Sequence, residues 1–126
     1  MANERRKILC VEDNTVNMLL VSRIVEAEGH DLIEAVDGPT AIDILATTIP
    51  DIILLDINLP GIDGLELARR FKADYRLASI PLIATTAQVL VGDRERCLEA
   101  GCDDYLPKPL DIRKLREVMR SYLDRS

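Results

Sequence analysis

Aromatic residues are scarce: the 126-residue chain has no tryptophan, one phenylalanine and three tyrosines, and it carries a net charge of -6. Nucleic-acid surfaces need a basic stripe, with stacking rings where single strands are held, so both deficits argue against direct nucleic-acid binding. Histidine occurs once, at His30, and cysteine three times, at Cys10, Cys97 and Cys102, without a CxxC pair or Cys/His ligand spacing. A disulfide scaffold and a zinc site are therefore not expected. No apolar run approaches the roughly 20 residues of a membrane span, and the opening MANERRKILC enters a strand-like run rather than a secretory core. The expectation is a cytoplasmic protein with no membrane insertion.

What the chain does have is a 48% hydrophobic content, enough for a real core in one domain. Short apolar runs alternate with longer stretches of helical periodicity, the pattern of an α/β protein. KILCV (Lys7 to Val11), DLIEA (Asp31 to Ala35), DIILL (Asp51 to Leu55), PLIAT (Pro81 to Thr85) and the shorter DYL (Asp104 to Leu106) read as strands. Three of them lack polar alternation, as parallel strands covered on both faces do.

Helical faces are read at Val16, Leu19, Leu20 and Ala27, at Ala41, Ile42 and Leu45, at Leu67, Ala68 and Phe71, and at Leu115, Val118, Met119 and Tyr122. From Leu90 to Ala100 the apolar stripe is sparse and a weakly held helix is expected. Gly29 and Gly101 read as helix stops, and Gly38-Pro39 as a helix start. Five strands and five helices then alternate in a doubly wound parallel sheet. The whole chain, 1–126 with a core from about 7 to 124, reads as one domain with no output domain.

In an open parallel sheet, ligands bind beyond the carboxyl ends of the strands. The polar residues there are Glu12-Asp13-Asn14, Asp56-Ile57-Asn58, Thr86-Ala87 and Lys108-Pro109. Two carboxylates about 4 Å apart repel by roughly 4 kcal/mol at an effective dielectric near 20, a cost that a divalent cation removes. Mg²⁺ suits oxygen ligands and commonly bridges carboxylates to phosphate oxygens. Asp13 and Asp56 read as direct ligands and Glu12 as one acting through water. Asp56, ending an apolar strand beside the metal, is a competent carboxylate nucleophile for phosphoryl transfer, with Lys108 and Thr86 placed to hold the transferred oxygens.

At these residues the chain resembles the receiver domain of bacterial two-component response regulators. The motifs VEDN, LLDINLPGIDGLE, TTA and KPL occur in order at the strand ends. The resemblance spans nearly the whole chain and implies a flavodoxin-like fold with strand order 2-1-3-4-5. It further implies that Asp56 is the phosphoacceptor, that Glu12 and Asp13 bind Mg²⁺, and that Asn58 adds its backbone carbonyl. Thr86 closes on the phosphoryl group, Lys108 pairs with it, Tyr105 turns inward when Thr86 moves, and the Lys108-Pro109 peptide is cis.

The implied function is a phosphoacceptor switch rather than an enzyme, apart from its own phosphorylation and dephosphorylation. It takes its group from a histidine kinase or histidine phosphotransfer protein and signals to a downstream protein target through the face of the fourth helix, fifth strand and fifth helix. Within the family the chain is most similar to single-domain regulators of cell-division and phosphorelay type and to receivers attached to hybrid histidine kinases, and a receiver excised from a hybrid histidine kinase or a multidomain regulator is an alternative reading. A monomer or weak dimer is expected.

Blander readings compete. Asp13 or Asn14 could only cap a helix, Asp56 could be a turn residue, Thr86 a hydroxyl bonded to backbone, Lys108 a solvated loop charge and Tyr105 only packed at the edge. A phosphatase of the haloacid-dehalogenase type needs a second Asp where Asn58 stands, and an FMN carrier needs a phosphate cradle and flanking rings that are missing here. A pseudo-receiver that binds partners without phosphorylation is the remaining alternative.

Overall fold

Alternation of side chains along each strand decides which helix covers which face of the sheet. The computed structural model describes residues 5–61, 63–87 and 92–124. Its strands are β1 (Lys7–Val11), β2 (Asp31–Ala35), β3 (Ile52–Asp56), β4 (Leu82–Thr86) and β5 (Asp104–Pro107), and its helices α1 (Thr15–Ala27), α2 (Gly38–Leu45), α3 (Gly64–Ala73), α4 (Asp93–Glu99) and α5 (Ile112–Leu123). The strands form one parallel sheet in the order β2-β1-β3-β4-β5. This is the doubly wound, flavodoxin-like order expected above.

Leu9, Val11, Ile53, Leu55, Leu82 and Ala84 face one layer, with Ala41 and Leu45 of α2, Leu67, Ala68 and Phe71 of α3, and Cys97 of α4. Ile8, Cys10, Ile52, Leu54 and Ile83 face the other, with Met18, Val21, Ile24 and Val25 of α1 and Leu115, Met119 and Leu123 of α5. All five residues of β3 and of β4 are buried, because each of these strands has neighbours on both edges and helices on both faces. β3 and β4 each begin and end one residue later than the sequence pattern suggests, so Asp56 and Thr86 are themselves the last residues of their strands.

Side-chain caps fix where helices begin. Asn14 accepts from the Asn17 N–H, Asp37 from Thr40, Asp63 from Leu65 and Asp111 from Arg113 and Lys114. Gly29 and Gly101, with φ of 83° and 104°, follow α1 and α4 in the left-handed conformation that a helix stop favours. Gly64 has a different reason: a Cβ there would overlap the backbone of Ile57, so only glycine lets α3 start hard against the exit of β3.

Two helical faces differ from expectation. On α1, Leu20 is half-buried against the core as expected, but Val16 and Leu19 are 72% and 54% exposed and Ala27 is also exposed, while Met18, Val21, Ile24 and Val25 are buried. The helix is apolar around most of its circumference, so periodicity offers two stripes. The position of the cap over the sheet selects the one that packs. On α2, Ile42 is 38% exposed and Ala41 and Leu45 carry the contact. The α3 and α5 faces pack as expected, with Val118 and Tyr122 half-buried and Leu123 completing the α5 stripe. Leu90 and Val91, assigned above to the sparse fourth helix, lie outside the described residues; in α4 itself Cys97 is buried and Leu98 exposed.

Candidate functional site

The chain runs outward from β1 to β2, then returns across β1 to β3, and this reversal opens a crevice between the carboxyl ends of β1 and β3. β1 delivers Glu12 and Asp13 to it, and β3 delivers Asp56. Carboxylate oxygens of these three residues lie within 4.8 Å of one another, Glu12 and Asp56 buried and Asp13 on the open side. From beyond β5, the Lys108 ammonium reaches Glu12 Oε1 at 2.7 Å and Asp56 Oδ2 at 2.9 Å. The Lys108–Pro109 peptide is cis.

The remaining oxygens of the two buried acids are also engaged. Glu12 Oε2 accepts from the Asn14 N–H at 3.0 Å, and Asp56 Oδ1 from the Asn58 N–H at 2.8 Å. Asp56 thus closes the turn after β3 and also faces the crevice. Lys108 is not a solvated charge, since it is held between two buried carboxylates. Thr86, at the end of β4, is 1% exposed, and its hydroxyl donates to Asn58 Oδ1 at 3.0 Å.

Charge balance decides what the crevice suits. Three carboxylates against one ammonium leave a net charge of about −2 in a half-enclosed space, where repulsion at 4 Å is worth kilocalories rather than tenths. Burial is the main cause that raises the Glu12 pKa, with Asp56 adding to it and the bonds from Lys108 and Asn14 opposing. Burial pulls the Lys108 ammonium down, but its hydrogen bonds to Glu12 and Asp56 prevail and leave it raised. A divalent cation with oxygen ligands fits this donor set in both hardness and charge.

Tyr105, on β5, is half-buried against the cluster that contains Ala84. Burial pushes the Cys10 thiol up, with the Glu12 charge adding to it, and burial pushes Cys102 up to about 12. All three cysteines are buried and none is joined in a disulfide among the described residues, in keeping with core thiols.

The family model for the response regulator receiver domain matches residues 8–120. The chain belongs to this family. The receiver is 40% identical over 118 residues to the polar-differentiation response regulator DivK of Brucella ovis, covering 94% of this chain and 96% of that protein. It is also similar to the receiver domain of a sensor histidine kinase of Pseudomonas aeruginosa, solved with a magnesium ion coordinated in the active-site cleft. There the TM-score is 0.87 and the identity 35%, over 96% of this chain and 99% of that one. A two-component response regulator of Clostridium difficile superposes with a TM-score of 0.89 at 26% identity, over 96% and 98% of the two chains. The receiver is therefore a phosphoacceptor signalling switch of the two-component type and not a metabolic enzyme. Among its described residues no helix is long and apolar enough to cross a membrane.

Sequence reading had no signal for the bond between Asn58 and Thr86. An asparagine two residues after a strand end reads as turn chemistry, and only the approach of the β3 and β4 exits shows that its side chain spans both.

Proposed function

We propose that Asp56 is the acceptor and that the phosphoryl group comes from phosphohistidine on a histidine kinase or phosphotransfer protein. The observation that carries this assignment is the position of Asp56, the one carboxylate of the three that ends a central strand, faces the crevice and touches Lys108. An Asp56 carboxylate oxygen attacks phosphorus and forms an O–P bond. The P–N bond to the donor imidazole breaks, and its electron pair returns to the ring nitrogen. In self-dephosphorylation water attacks the same phosphorus, releasing inorganic phosphate and restoring the carboxylate.

Glu12, Asp13, Asp56 and the Asn58 backbone carbonyl would hold Mg²⁺, which supplies charge neutralisation for the transferred oxygens. Lys108 already sits on Asp56 Oδ2 and can follow the negative charge onto the phosphoryl group without crossing open solvent. Thr86 then swings its hydroxyl to that group and Tyr105 follows inward, altering the face of α4, β5 and α5. On that face Leu98 and Ile112 are exposed apolar residues able to meet a downstream protein. The setting is the cytoplasm, where the donor's phosphohistidine is made.

Val16 and Leu19 on α1 and Val36 beyond β2 leave apolar surface uncovered beside the site. An open groove runs from Glu12 and Asp13 past Met18 and Leu19 to Glu34 and Val36. A donor must bring its phosphohistidine to the mouth of this crevice, so the groove is read as the seat of an apolar donor helix. The double variant Val16→Ser, Leu19→Ser should slow transfer from a phosphorylated histidine phosphotransfer domain at least about tenfold, since each buried aliphatic side chain is worth roughly 1.5–3 kcal/mol. Labelling by acetyl phosphate should stay as in the wild type. Equal slowing with both donors would place the defect in the chemistry and not in docking.

Removing one charge from the cluster tests the metal assignment. Asp13→Asn should raise stability without Mg²⁺ by about 1 kcal/mol, because the Asp13 carboxylate is repelled by two neighbours through partly solvated space. The same change should remove most of the stabilisation that Mg²⁺ gives the wild type, followed by urea unfolding with and without the ion. Full Mg²⁺ stabilisation of the variant would exclude Asp13 as a ligand.

The experiment for the whole reading is phosphate-affinity gel mobility after acetyl phosphate with Mg²⁺ or with EDTA. A shifted band that needs the metal is expected. No shift, together with no response to beryllofluoride, would favour a pseudo-receiver.

A further inference from the structure

The amide of Asn58 sits between two strand ends. Its Oδ1 accepts from the Thr86 hydroxyl at 3.0 Å and from the Ala87 N–H at 2.9 Å. The backbone N–H can only donate, so the atom facing it is the amide oxygen and the Thr86 hydroxyl must donate to the same atom. The Asn58 N–H is in turn bonded to Asp56 Oδ1 at 2.8 Å. One residue therefore touches the acceptor carboxylate through its backbone and holds two donors at the end of β4 through its side chain. Thr86 is fixed below this point as well, since its carbonyl accepts from the Lys108 N–H at 2.7 Å. Rotation of the Thr86 side chain would take the hydroxyl off Asn58 without breaking that backbone bond.

We propose that Asn58 is a latch that opposes the switch: its amide oxygen competes with the phosphoryl oxygens for the Thr86 hydroxyl and so sets how readily the phosphorylated arrangement forms. This deepens, and rests on, the assignment of Thr86 as the hydroxyl that closes on the phosphoryl group. The competition has a direction. A neutral amide oxygen makes an ordinary hydrogen bond, whereas an anionic phosphoryl oxygen makes one about twice as strong. Phosphorylation therefore wins, but only by the difference. Asn58 is a positioning residue here, acting through Thr86 and Ala87.

Removing the amide should take the Asn58 acceptor away from both donors before phosphorylation and make the active arrangement easier to reach. The test is an NMR titration with beryllofluoride at saturating Mg²⁺, comparing wild type with Asn58→Ala. A net neutral hydrogen bond of ordinary strength corresponds to about fivefold, so Asn58→Ala should bind the phosphoryl mimic about fivefold more tightly. The same comparison in a Thr86→Val background completes a double-mutant cycle. The gain should shrink there, to what the Ala87 N–H alone contributes.

A gain of equal size in both backgrounds would overturn the latch, because Asn58 would then be acting through loop flexibility. Unchanged or weaker binding in Asn58→Ala would also overturn it, because the amide would then be supporting the phosphorylated arrangement. If wild type itself fails to respond to beryllofluoride, the acceptor assignment falls, an outcome distinct from a responsive wild type with an unaltered variant.

Discussion

Asp56→Asn is expected to take up no phosphoryl group from acetyl phosphate or from a phosphohistidine donor, with or without Mg²⁺, and to give no shifted band on a phosphate-affinity gel. The substitution keeps the shape of the side chain at the end of β3 and removes only the anionic nucleophile. It also keeps the fold. The net charge of the crevice falls from about −2 to −1, which relieves repulsion between Glu12 and position 56. Against this, both neighbours of Asp56 are donors, the Asn58 N–H and the Lys108 ammonium, and an amide can satisfy only one of them with its oxygen. These terms are each about 1 kcal/mol and opposite in sign, so stability should stay within about 1 kcal/mol of the wild type. Loss of labelling with retained stability separates chemistry from folding. A labelled Asp56→Asn protein would move the acceptor to another carboxylate.

Lys108→Met should cost roughly 2–3 kcal/mol of unfolding free energy in EDTA. Removing one partner of a buried ion pair costs roughly 3–5 kcal/mol, and the open side of this crevice reduces that. Methionine matches the length of the stem and fills the space between β1 and β3, so the loss comes from charge. Glu12 and Asp56, each 3% exposed as side chains, would face one another with no counter-charge. Mg²⁺ should restore a good part of the loss, and more than it adds to the wild type, because it becomes the only cation in the cluster. Urea unfolding with and without Mg²⁺ measures both quantities. A loss below about half a kilocalorie would mean that water already screens the pair.

Much of the fold was legible in the sequence because the determinants are local. Uninterrupted apolar runs such as Ile52–Leu55 belong in the middle of a parallel sheet, and Gly29 and Gly101 mark where α1 and α4 stop for a reason of backbone conformation. The candidate site was legible for the same reason, since Glu12, Asp13, Asp56, Thr86 and Lys108 each stand at a strand end whose position follows from the run before it. Strand order came through family resemblance, because parallel pairing is a long-range choice that leaves little trace in composition.

The buried face of α1 was not legible. Val16 and Leu19 are as apolar as Met18 and Val21, and only placement over the sheet separates them. The Asn58 bridge was hidden because it joins residues 28 and 29 positions apart in the chain.

The most direct test of the account is to locate the acyl phosphate. After reaction with acetyl phosphate and Mg²⁺, borohydride reduction converts a phosphorylated aspartate to homoserine, and peptide mapping by mass spectrometry reads its position. The account predicts homoserine at position 56 alone, lost in EDTA. Homoserine at Asp13 or elsewhere, or none in a protein that responds to Mg²⁺, would contradict it.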